Sequence, residues 1–395
     1  MTIQELESRY IINTYNRQPE KNLCLVEGRG SLVKDETGRE YLDFVGGLAV
    51  QVVGHCHPAV VEAIRDQAGR LMHVSNLYYS GPQAELARVL VENSFADRVF
   101  FANSGAEANE AAIKLARKWG GDRYKIITAE RSFHGRTLAT VAATGQIKYH
   151  RGFAPLPEGF AYAEFNNLQS FEKLVDSSTV AIMVEPVQGE GGVHVATKSF
   201  LRGLRELCDR RELLLIYDEV QCGMGRSGHL WAYEHYGASP DIMTAAKGLG
   251  GGLPIGVMMA RERAAAAFKP GDHASTFGGN LVVCRAALAV LQILLEKGFL
   301  EQVREKSDLI FQGLQQLADR YPHLVKEVRG LGLMIALELK KPLAALAQAE
   351  CQARGLLVNA IGDTILRLLP PLIVSKEEIS RALNVVDEVL ANLEQ

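Results

Sequence analysis

The sequence predicts an α/β protein with a large, mostly parallel sheet flanked by helices and a smaller α+β domain. Between Val99 and Met259, short apolar runs alternate with amphipathic helical stretches, which is typical of βαβ units around a parallel sheet. The chain has 395 residues, more than one simple core usually holds, so a second domain is expected. Beyond Asn280, long helical patterns lead to a strand-like run, which indicates a different architecture for the C-terminal part.

Six apolar runs are the candidate strands of the large sheet: 98–101, 125–129, 180–184, 213–217, 241–245 and 255–260. The stretch from Ala108 to Trp119 repeats apolar residues at helical spacing and should pack on this sheet. Residues 32–42 predict a hairpin that packs with the C-terminal domain. We therefore expect three segments: residues 1–50 packing with the small domain, 51–285 forming the large domain and 286–395 forming the small α+β domain.

Composition and charge argue against several classes of function. The 43 Lys and Arg nearly balance the 46 Asp and Glu, so nucleic acid and anionic membranes are not expected as partners and small molecules are favoured. The N-terminus lacks the basic flank and apolar run of a signal peptide, and no stretch reaches the roughly 18 apolar residues of a membrane span. The six scattered cysteines fit reduced thiols in the cytoplasm better than disulfides.

Polar residues gather where the candidate strands end. In parallel α/β sheets, ligands bind beyond the carboxyl ends of the strands, so these residues are expected to share one edge. The segments concerned are Asn103-Ser-Gly-Ala-Glu107, Ser132-Phe-His-Gly-Arg136, Glu185-Pro-Val-Gln-Gly-Glu190, Asp218-Glu-Val-Gln221 and Lys247-Gly248. Five strands thus deliver polar or ionisable groups to a single site.

Lys247 and Asp218 are the candidate catalytic pair. A lysine past a strand end, followed by glycines that admit a planar ligand, can react with an aldehyde when its amine is desolvated. Asp218 follows the apolar run 213–217 and can hold a buried cation. Each residue also has an ordinary interpretation, as a solvated lysine and as a helix cap. One βαβ step places both at the same edge, and the joint functional interpretation is therefore favoured.

Ser104 to Glu107 open the amphipathic helix, and the free amides at a helix start bind phosphate. The same Ser-x-x-Glu spacing is also a capping box, which is compatible with phosphate binding because a helix start has several free donors.

Two other patterns suggest different chemistry. The segment Gly223-Met-Gly-Arg-Ser-Gly228 matches the dinucleotide fingerprint, but five residues separate it from the preceding strand and no acid ends the next one. His55 and His57 flank Cys56 and hint at a metal, as does His134. No further ligand stands at a spacing that would complete a metal site, so none is expected.

Taken together, the strand-end segments resemble the class III, fold type I, aminotransferases, which use pyridoxal 5′-phosphate (PLP). The resemblance runs from Tyr15 to Pro371. Its motifs stand in the family order: Asn103-Ser-Gly-Ala-Glu-Ala-Asn-Glu110, Val184-Glu-Pro-Val-Gln-Gly-Glu190, Asp218-Glu-Val-Gln221, Lys247 and Ser275-Thr-Phe-Gly-Gly-Asn280. It implies a large PLP-binding domain and a homodimer with active sites shared between subunits.

The resemblance implies that five residues contact the ring of the cofactor or its aldehyde. Lys247 bonds covalently to the cofactor aldehyde and, once released, moves the proton during catalysis. Asp218 pairs with the ring nitrogen, since an acid is needed to keep that nitrogen protonated. Phe133 stacks on one face of the ring, Val220 packs on the other, and Gln221 contacts the phenolic oxygen.

The phosphate and the substrates are assigned in the same way. Gly105 and Ala106, with Ser104, are expected to bind the phosphate through the helix start, joined by Thr276 of the partner subunit. The substrate side consists of residues far apart in the chain: Tyr15, Arg136, Glu190, Ser275 and Arg367.

The two arginines have different expected roles. Arg136 resembles the arginine that binds the carboxylate distant from the reacting carbon, a bidentate role that suits a planar guanidinium. Arg367 resembles the one that binds the α-carboxylate of glutamate. Glu190 resembles the acid that covers Arg367 when a terminal-amine donor is bound. Tyr15 is expected to line the same pocket.

The implied reaction transfers the δ-amino group of N-acetylornithine to 2-oxoglutarate, giving N-acetylglutamate 5-semialdehyde and glutamate, in arginine biosynthesis. Leu48 stands where ornithine aminotransferases carry a second tyrosine, which favours an acylated donor. Ornithine, succinylornithine, N-succinyl-diaminopimelate and 4-aminobutyrate remain alternative donors. A mutase or decarboxylase, or a non-catalytic PLP-binding module, remains an alternative class.

Overall fold

The computed structural model describes residues 2–15, 17 and 23–394. The strands in chain order are β1 Leu25–Arg29, β2 Leu32–Asp35, β3 Glu40–Asp43, β4 Arg98–Ala102, β5 Lys125–Ala129, β6 Phe160–Ala163, β7 Thr179–Val184, β8 Val187–Gln188, β9 His194–Val195, β10 Leu214–Asp218, β11 Ile242–Ala245, β12 Gly256–Ala260, β13 Val325–Leu331, β14 Met334–Leu339, β15 Leu356–Leu357, β16 Asn359–Ile361 and β17 Ile365–Leu368.

The helices are α1 Ile3–Tyr10, α2 Gly46–Ala49, α3 Pro58–Ala68, α4 Gly81–Glu92, α5 Gly105–Gly120, α6 Leu138–Ala143, α7 Leu168–Leu174, α8 Lys198–Arg211, α9 Glu262–Ala265, α10 Leu281–Leu294, α11 Phe299–Arg320, α12 Ala344–Ala353 and α13 Lys376–Glu394. Short 3₁₀ turns lie at Ile147–Tyr149, Ala232–His235 and Lys247–Gly250. No helix in the described ranges is both long enough and apolar enough to cross a bilayer.

The large sheet has seven strands in the order β4-β12-β11-β10-β7-β5-β6. All six runs predicted from the sequence are strands of this sheet, which confirms the α/β prediction. Every residue of β7 and β10 is buried, as expected for parallel strands covered by helices on both faces. β6, a short strand at the edge of the sheet, was not predicted from the sequence. Nor was the antiparallel direction of β12 relative to both of its neighbours.

The C-terminal part contains an antiparallel sheet in the order β13-β14-β17-β16, which we call the small sheet. The predicted hairpin is confirmed, because β2 pairs with β3 in antiparallel register. β3 also pairs with β15, so the N-terminal hairpin joins the C-terminal part of the fold. α10 packs against α3 and α4 and leads into α11, so the expected boundary between residues 285 and 286 falls inside α10.

The short segment α2 is a left-handed turn. Its four residues, Gly46 to Ala49, have φ values of 54°, 62°, 63° and 67°. Asp43 stabilises the entry to this turn, since its Oδ1 accepts hydrogen bonds from the amides of Val45 and Gly46. A left-handed conformation costs energy at Leu48 and Ala49, because both carry a Cβ. Such strained segments cluster near functional sites, and the next residue, Val50, lines the cavity described below.

Candidate active site

A cavity of about 460 Å³ lies at the carboxyl ends of the central strands. Its position agrees with the rule that ligands bind beyond the carboxyl ends of parallel strands. Most of the residues predicted from the sequence line it: Ser104, Gly105, Ala106, Phe133, Arg136, Glu190, Asp218, Val220, Gln221 and Lys247.

Asp218 ends β10 and is the most extensively hydrogen-bonded carboxylate of the cavity. Its Oδ2 lies 2.7 Å from Asn109 Nδ2 and 2.8 Å from His134 Nδ1, and its Oδ1 accepts the amide of Val220 at 3.0 Å. The side chain is only 4% exposed. A carboxylate oxygen has about two acceptor positions, so Oδ1 can still accept a further hydrogen bond from a cationic group in the cavity.

Lys247 begins a 3₁₀ turn two residues after β11 and has a positive φ of 41°. Burial lowers the pKa of its amine, and the positive charge of Arg367 acts in the same direction, while Glu190 and Asp218 oppose the shift. A larger fraction of the amine is therefore neutral than for a solvated lysine. A neutral amine is the form that attacks a carbonyl carbon.

The start of α5 faces the same cavity. Ser104 is the N-cap, and its Oγ accepts the amide of Glu107 at 3.1 Å. The Glu107 carboxylate accepts the amide of Asn103, one residue before the cap, so the predicted capping box is shifted by one residue. The amides of Gly105 and Ala106 have no intrahelical acceptor because they lie in the first turn. They remain suited to an anion.

The Glu185 carboxylate contacts backbone amides in two separate segments of the site. Its Oε1 accepts the amide of Phe133 at 2.9 Å, and its Oε2 lies 3.4 Å from the amide of Gly189. Burial raises the pKa of Glu185 well above its usual range, and the nearby charge of Asp218 adds to this effect. Glu185 therefore links the aromatic wall of the cavity to the loop that carries Glu190.

Arg367 lies in β17 and is fully buried behind Glu190. Its Nη1 donates to Glu190 Oε1 at 2.8 Å and to Gln221 Oε1 at 2.9 Å, and its Nη2 donates to Asn359 Oδ1 at 2.6 Å. Burial alone would raise the pKa of Glu190, but Arg367 and Lys247 lower it below its ordinary value. The Glu190–Arg367 pair is thus ionic and covers the arginine.

Arg136, unlike Arg367, contacts aromatic rings. Its guanidinium lies over the ring of Tyr149, 4.2 Å from the ring centroid, and 5.5 Å from that of Phe133. No carboxylate of the described residues forms an ion pair with it. An aromatic face attracts the cation without using its N–H donors, so these donors remain available to a ligand.

Comparison with known proteins agrees with this geometry. The family model described as Aminotransferase class-III matches residues 14–390. The chain belongs to the class III aminotransferases. This confirms the family and the fold type I architecture expected from the sequence motifs.

Relatives of this class III aminotransferase extend over its whole length. An acetylornithine aminotransferase of Caldanaerobacter subterraneus is 53% identical over 98% of both chains. The crystal structure of N-acetylornithine aminotransferase from Stenotrophomonas maltophilia has a TM-score of 0.85 at 36% identity, covering 99% of each chain. An ornithine aminotransferase structure from Toxoplasma gondii, with partial occupancy of PLP at its active site, has a TM-score of 0.92 at 31% identity, covering 99% of this chain and 94% of that one.

The residues of this class III aminotransferase fit PLP, the cofactor of the family. Asp218 has a free acceptor position for a protonated ring nitrogen, Lys247 offers an amine of lowered pKa, and the first turn of α5 offers free amides. A Cβ at Gly105 would lie 2.7 Å from Val220 Cγ1, so only glycine allows this close approach of the helix start to the cavity wall.

Four predicted residues do not line the cavity. Arg367 contacts the cavity through Glu190 and Gln221. Ser275 lies beside the cavity, with its Oγ 3.2 Å from Asn103 Nδ2.

The other two residues are exposed. Thr276 is exposed, and Tyr15 is 66% exposed, with the Arg17 guanidinium 5.1 Å from the centroid of its ring. The roles assigned to these residues stay predictions. Of the segment 15–19 used for the resemblance, residues 16, 18 and 19 lie outside the described residues.

The sequence predicts no role for Asn109, places Glu185 among the strand-end residues without a role, and indicates His134 only as a candidate metal ligand. A signal existed for Asn109, which is an amide on the otherwise apolar face of α5 and is 1% exposed. Its Oδ1 accepts a hydrogen bond from Thr244 Oγ1 at 2.6 Å, which orients its amide group toward Asp218. His134 donates to the same carboxylate, so its role is to orient Asp218.

The competing patterns have structural explanations. The segment 223–228 does not line the cavity. Arg226 within it is buried and donates to the carbonyls of Leu333 and Pro370, and a Cβ at Gly225 would lie 2.8 Å from Leu372 Cδ1. Gly225 therefore serves close packing against the C-terminal part of the chain. Within the described residues, no three His, Cys, Asp or Glu side chains form a group that could hold a metal ion.

Proposed function

We propose that this protein is an acetylornithine aminotransferase, which transfers the δ-amino group of N-acetylornithine to 2-oxoglutarate with PLP as its cofactor, in arginine biosynthesis. The observation that carries the proposal is the contrast between an open Arg136 and an Arg367 covered by Glu190. A terminal-amine donor with one distant carboxylate needs only one arginine. Glutamate and 2-oxoglutarate need two.

The cofactor side follows from the contacts of the cavity. When bound, PLP supplies an aldehyde that takes up the amino group and a ring that withdraws electrons from the reacting carbon. Lys247 would hold the cofactor through its amine and, once released, would carry a proton between substrate and cofactor. Asp218 would keep the ring nitrogen protonated, and Asn109 and His134 fix the orientation of the Asp218 carboxylate.

The substrate side assigns one arginine to each carboxylate. Arg136 binds the carboxylate far from the reacting carbon in both half-reactions. Arg367 binds the α-carboxylate of glutamate or 2-oxoglutarate after Glu190 has moved away. When N-acetylornithine is bound, Glu190 neutralises Arg367, so no unpaired buried charge remains.

We also propose a cytoplasmic homodimer in which Thr276 of the partner subunit completes the phosphate site. The exposure of Thr276 supports this proposal, as do the apolar side chains of Phe277 and Tyr78, which are 61% and 70% exposed. Large exposed apolar side chains are typical of surfaces that bind another protein. The division at residues 50/51 and 285/286 remains a prediction.

Ornithine is the second candidate donor, because an ornithine aminotransferase has a similar structure. Leu48 argues against it. This apolar residue is 42% exposed on the left-handed turn that precedes Val50 at the cavity. It offers no hydrogen-bond partner to the free α-amino group of ornithine, and an acylated donor lacks that charge.

A donor panel tests the proposal. Purified protein is assayed with PLP, 2-oxoglutarate and each of N-acetylornithine, N-succinylornithine, ornithine, N-succinyl-diaminopimelate and 4-aminobutyrate, with glutamate formation as the readout. We expect the highest kcat/KM for N-acetylornithine. Lys247→Ala, verified as folded by circular dichroism, is the blank and should form no glutamate from any donor. A higher kcat/KM for ornithine or 4-aminobutyrate would refute the proposed donor.

A further inference from the structure

Glu190 lies in the loop of a short hairpin. β8 and β9 pair in antiparallel register, and residues 189–193 connect them. Gly192 has a φ of 117°, which residues with a side chain rarely adopt. A Cβ there would lie 3.0 Å from Ile365 Cδ1 of β17, so the loop backbone lies directly against the small sheet.

Arg329 of β13 attaches this loop to the small sheet. Its Nε and Nη2 both donate to the carbonyl oxygen of Gly192, at 3.0 and 2.6 Å. Its Nη1 forms ion pairs with Glu327 and Glu338, and the side chain is 10% exposed. Two hydrogen bonds from one planar, nearly buried guanidinium hold the carbonyl in a defined direction.

Arg329 and Arg367 stand at the same level of the small sheet. Arg329 is opposite Ala336 of β14, and Ala336 is opposite Arg367 of β17. Directly opposed residues project from the same face, and two strand spacings separate these two by about 10 Å. Two arginines on one face therefore contact the same loop, one at the Glu190 carboxylate and the other at the Gly192 carbonyl.

We propose that Arg329 is a positioning residue for substrate choice, because it holds Gly192 as a fixed pivot about which Glu190 moves on and off Arg367. This inference rests on the proposed function of the Glu190–Arg367 pair. When an α-carboxylate displaces Glu190, the Gly192 attachment keeps the loop in place. When the α-carboxylate leaves, Glu190 returns to Arg367 without the entropic cost of ordering a free loop.

Loss of Arg329 should weaken the Glu190–Arg367 pair, since the loop must then be ordered each time the pair forms. Arg367 becomes available more often, so the half-reaction with glutamate gains relative to the half-reaction with N-acetylornithine. We expect Arg329→Gln to raise the ratio of the two rate constants about fivefold, the effect of one lost hydrogen-bonded contact.

The matched control is Lys326→Gln. Lys326 lies on the same strand and forms an ion pair with the same Glu338, at 2.6 Å, but is 57% exposed. Removing its charge should leave the ratio unchanged within about twofold, as is usual for an exposed ion pair. Stopped-flow measurement of each half-reaction gives the ratio for wild type and both variants. An equal fall of both half-reactions in Arg329→Gln would overturn the proposal.

A double variant separates positioning from general destabilisation. In a Glu190→Ala background no carboxylate remains to be positioned, so adding Arg329→Gln should not change the ratio further. A ratio that rises about fivefold in both backgrounds would show that Arg329 acts independently of Glu190, and would also overturn the proposal.

Hydrogen exchange provides a test that does not depend on turnover. In the purified holoenzyme without substrate, Arg329→Gln should accelerate amide exchange in a peptide spanning residues 186–196 and leave exchange in α13 unchanged. Unchanged exchange in that peptide overturns the pivot. If wild type does not use N-acetylornithine but exchange accelerates, the proposed donor fails while the pivot stands, and the ratio is then measured with the preferred terminal amine.

Discussion

The two arginines of the active site differ in exposure and in their ionic partners. Arg136 is exposed and lies on an aromatic face, with its guanidinium edge free of any ion pair within the described residues. Arg367 is fully buried, and its two Nη atoms donate to Glu190, Gln221 and Asn359. Both carry a guanidinium group, yet only Arg136 can bind a carboxylate without first losing an ionic partner.

This difference shows how one cavity can accept two kinds of substrate. A cation held by an aromatic ring keeps its hydrogen-bond donors for the ligand, so Arg136 suits a carboxylate that is present in every substrate. A buried arginine is costly to leave without a partner when its ligand is absent, and a counter-charge is one way to avoid that cost. Glu190 provides that counter-charge at Arg367.

The largest effect is expected from Arg136→Ala, because both substrates use this arginine. Each half-reaction should lose about 1.5–3 kcal/mol of transition-state binding, which lowers kcat/KM about 10- to 150-fold for N-acetylornithine and for 2-oxoglutarate alike. Stopped-flow kinetics of the separate half-reactions measure both losses. A variant that loses only one half-reaction would show that Arg136 is not shared.

Arg367→Ala should damage one half-reaction only. The reaction with 2-oxoglutarate should lose about 1.5–3 kcal/mol, while the reaction with N-acetylornithine should change less than about threefold. The variant leaves Glu190 without its cation, so the double variant Arg367→Ala with Glu190→Ala is the control for that charge. Equal losses in both half-reactions of the double variant would contradict the assignment.

Glu190→Ala should produce a smaller change in the opposite direction. With Arg367 permanently open, glutamate should become a better donor relative to N-acetylornithine by about three- to tenfold, the range expected from one ion pair of moderate strength. Competition between the two donors for the PLP form measures this ratio. An unchanged ratio would mean that Glu190 does not control access to Arg367.

The smallest effect concerns pH. Because the pKa of Glu190 is lowered below its ordinary value, the carboxylate stays ionised until the pH falls through that lowered value. The ratio of the two half-reactions should therefore stay constant from about pH 9 to about pH 5, since the ordinary glutamate pKa is about 4.3. Taking the ratio cancels ionisations common to both halves. A change between pH 6 and 8 would argue against this titration behaviour.

Much of the cofactor side could be predicted from the sequence. Lys247 and Asp218 each follow a strongly apolar run, and Ser104 stands where helical spacing begins, so local patterns located all three. The contacts of Asn109 and His134 with Asp218 could not be predicted in this way. Asn109 lies 109 positions from Asp218 and 135 from Thr244, and only the packing of α5 on the large sheet brings these three together.

The sequence by itself determined the strand ends, the helix start and the family motifs, because strand periodicity, capping and glycine conformations are properties of a few neighbouring residues. The tertiary structure decided that Arg367 is covered while Arg136 is open, and that Arg329 binds the Glu190 loop. Glu190 and Arg367 are 177 positions apart, and Gly192 and Arg329 are 137 apart. Their contacts depend on the register of the small sheet and its docking against the β8–β9 hairpin, which no local pattern encodes.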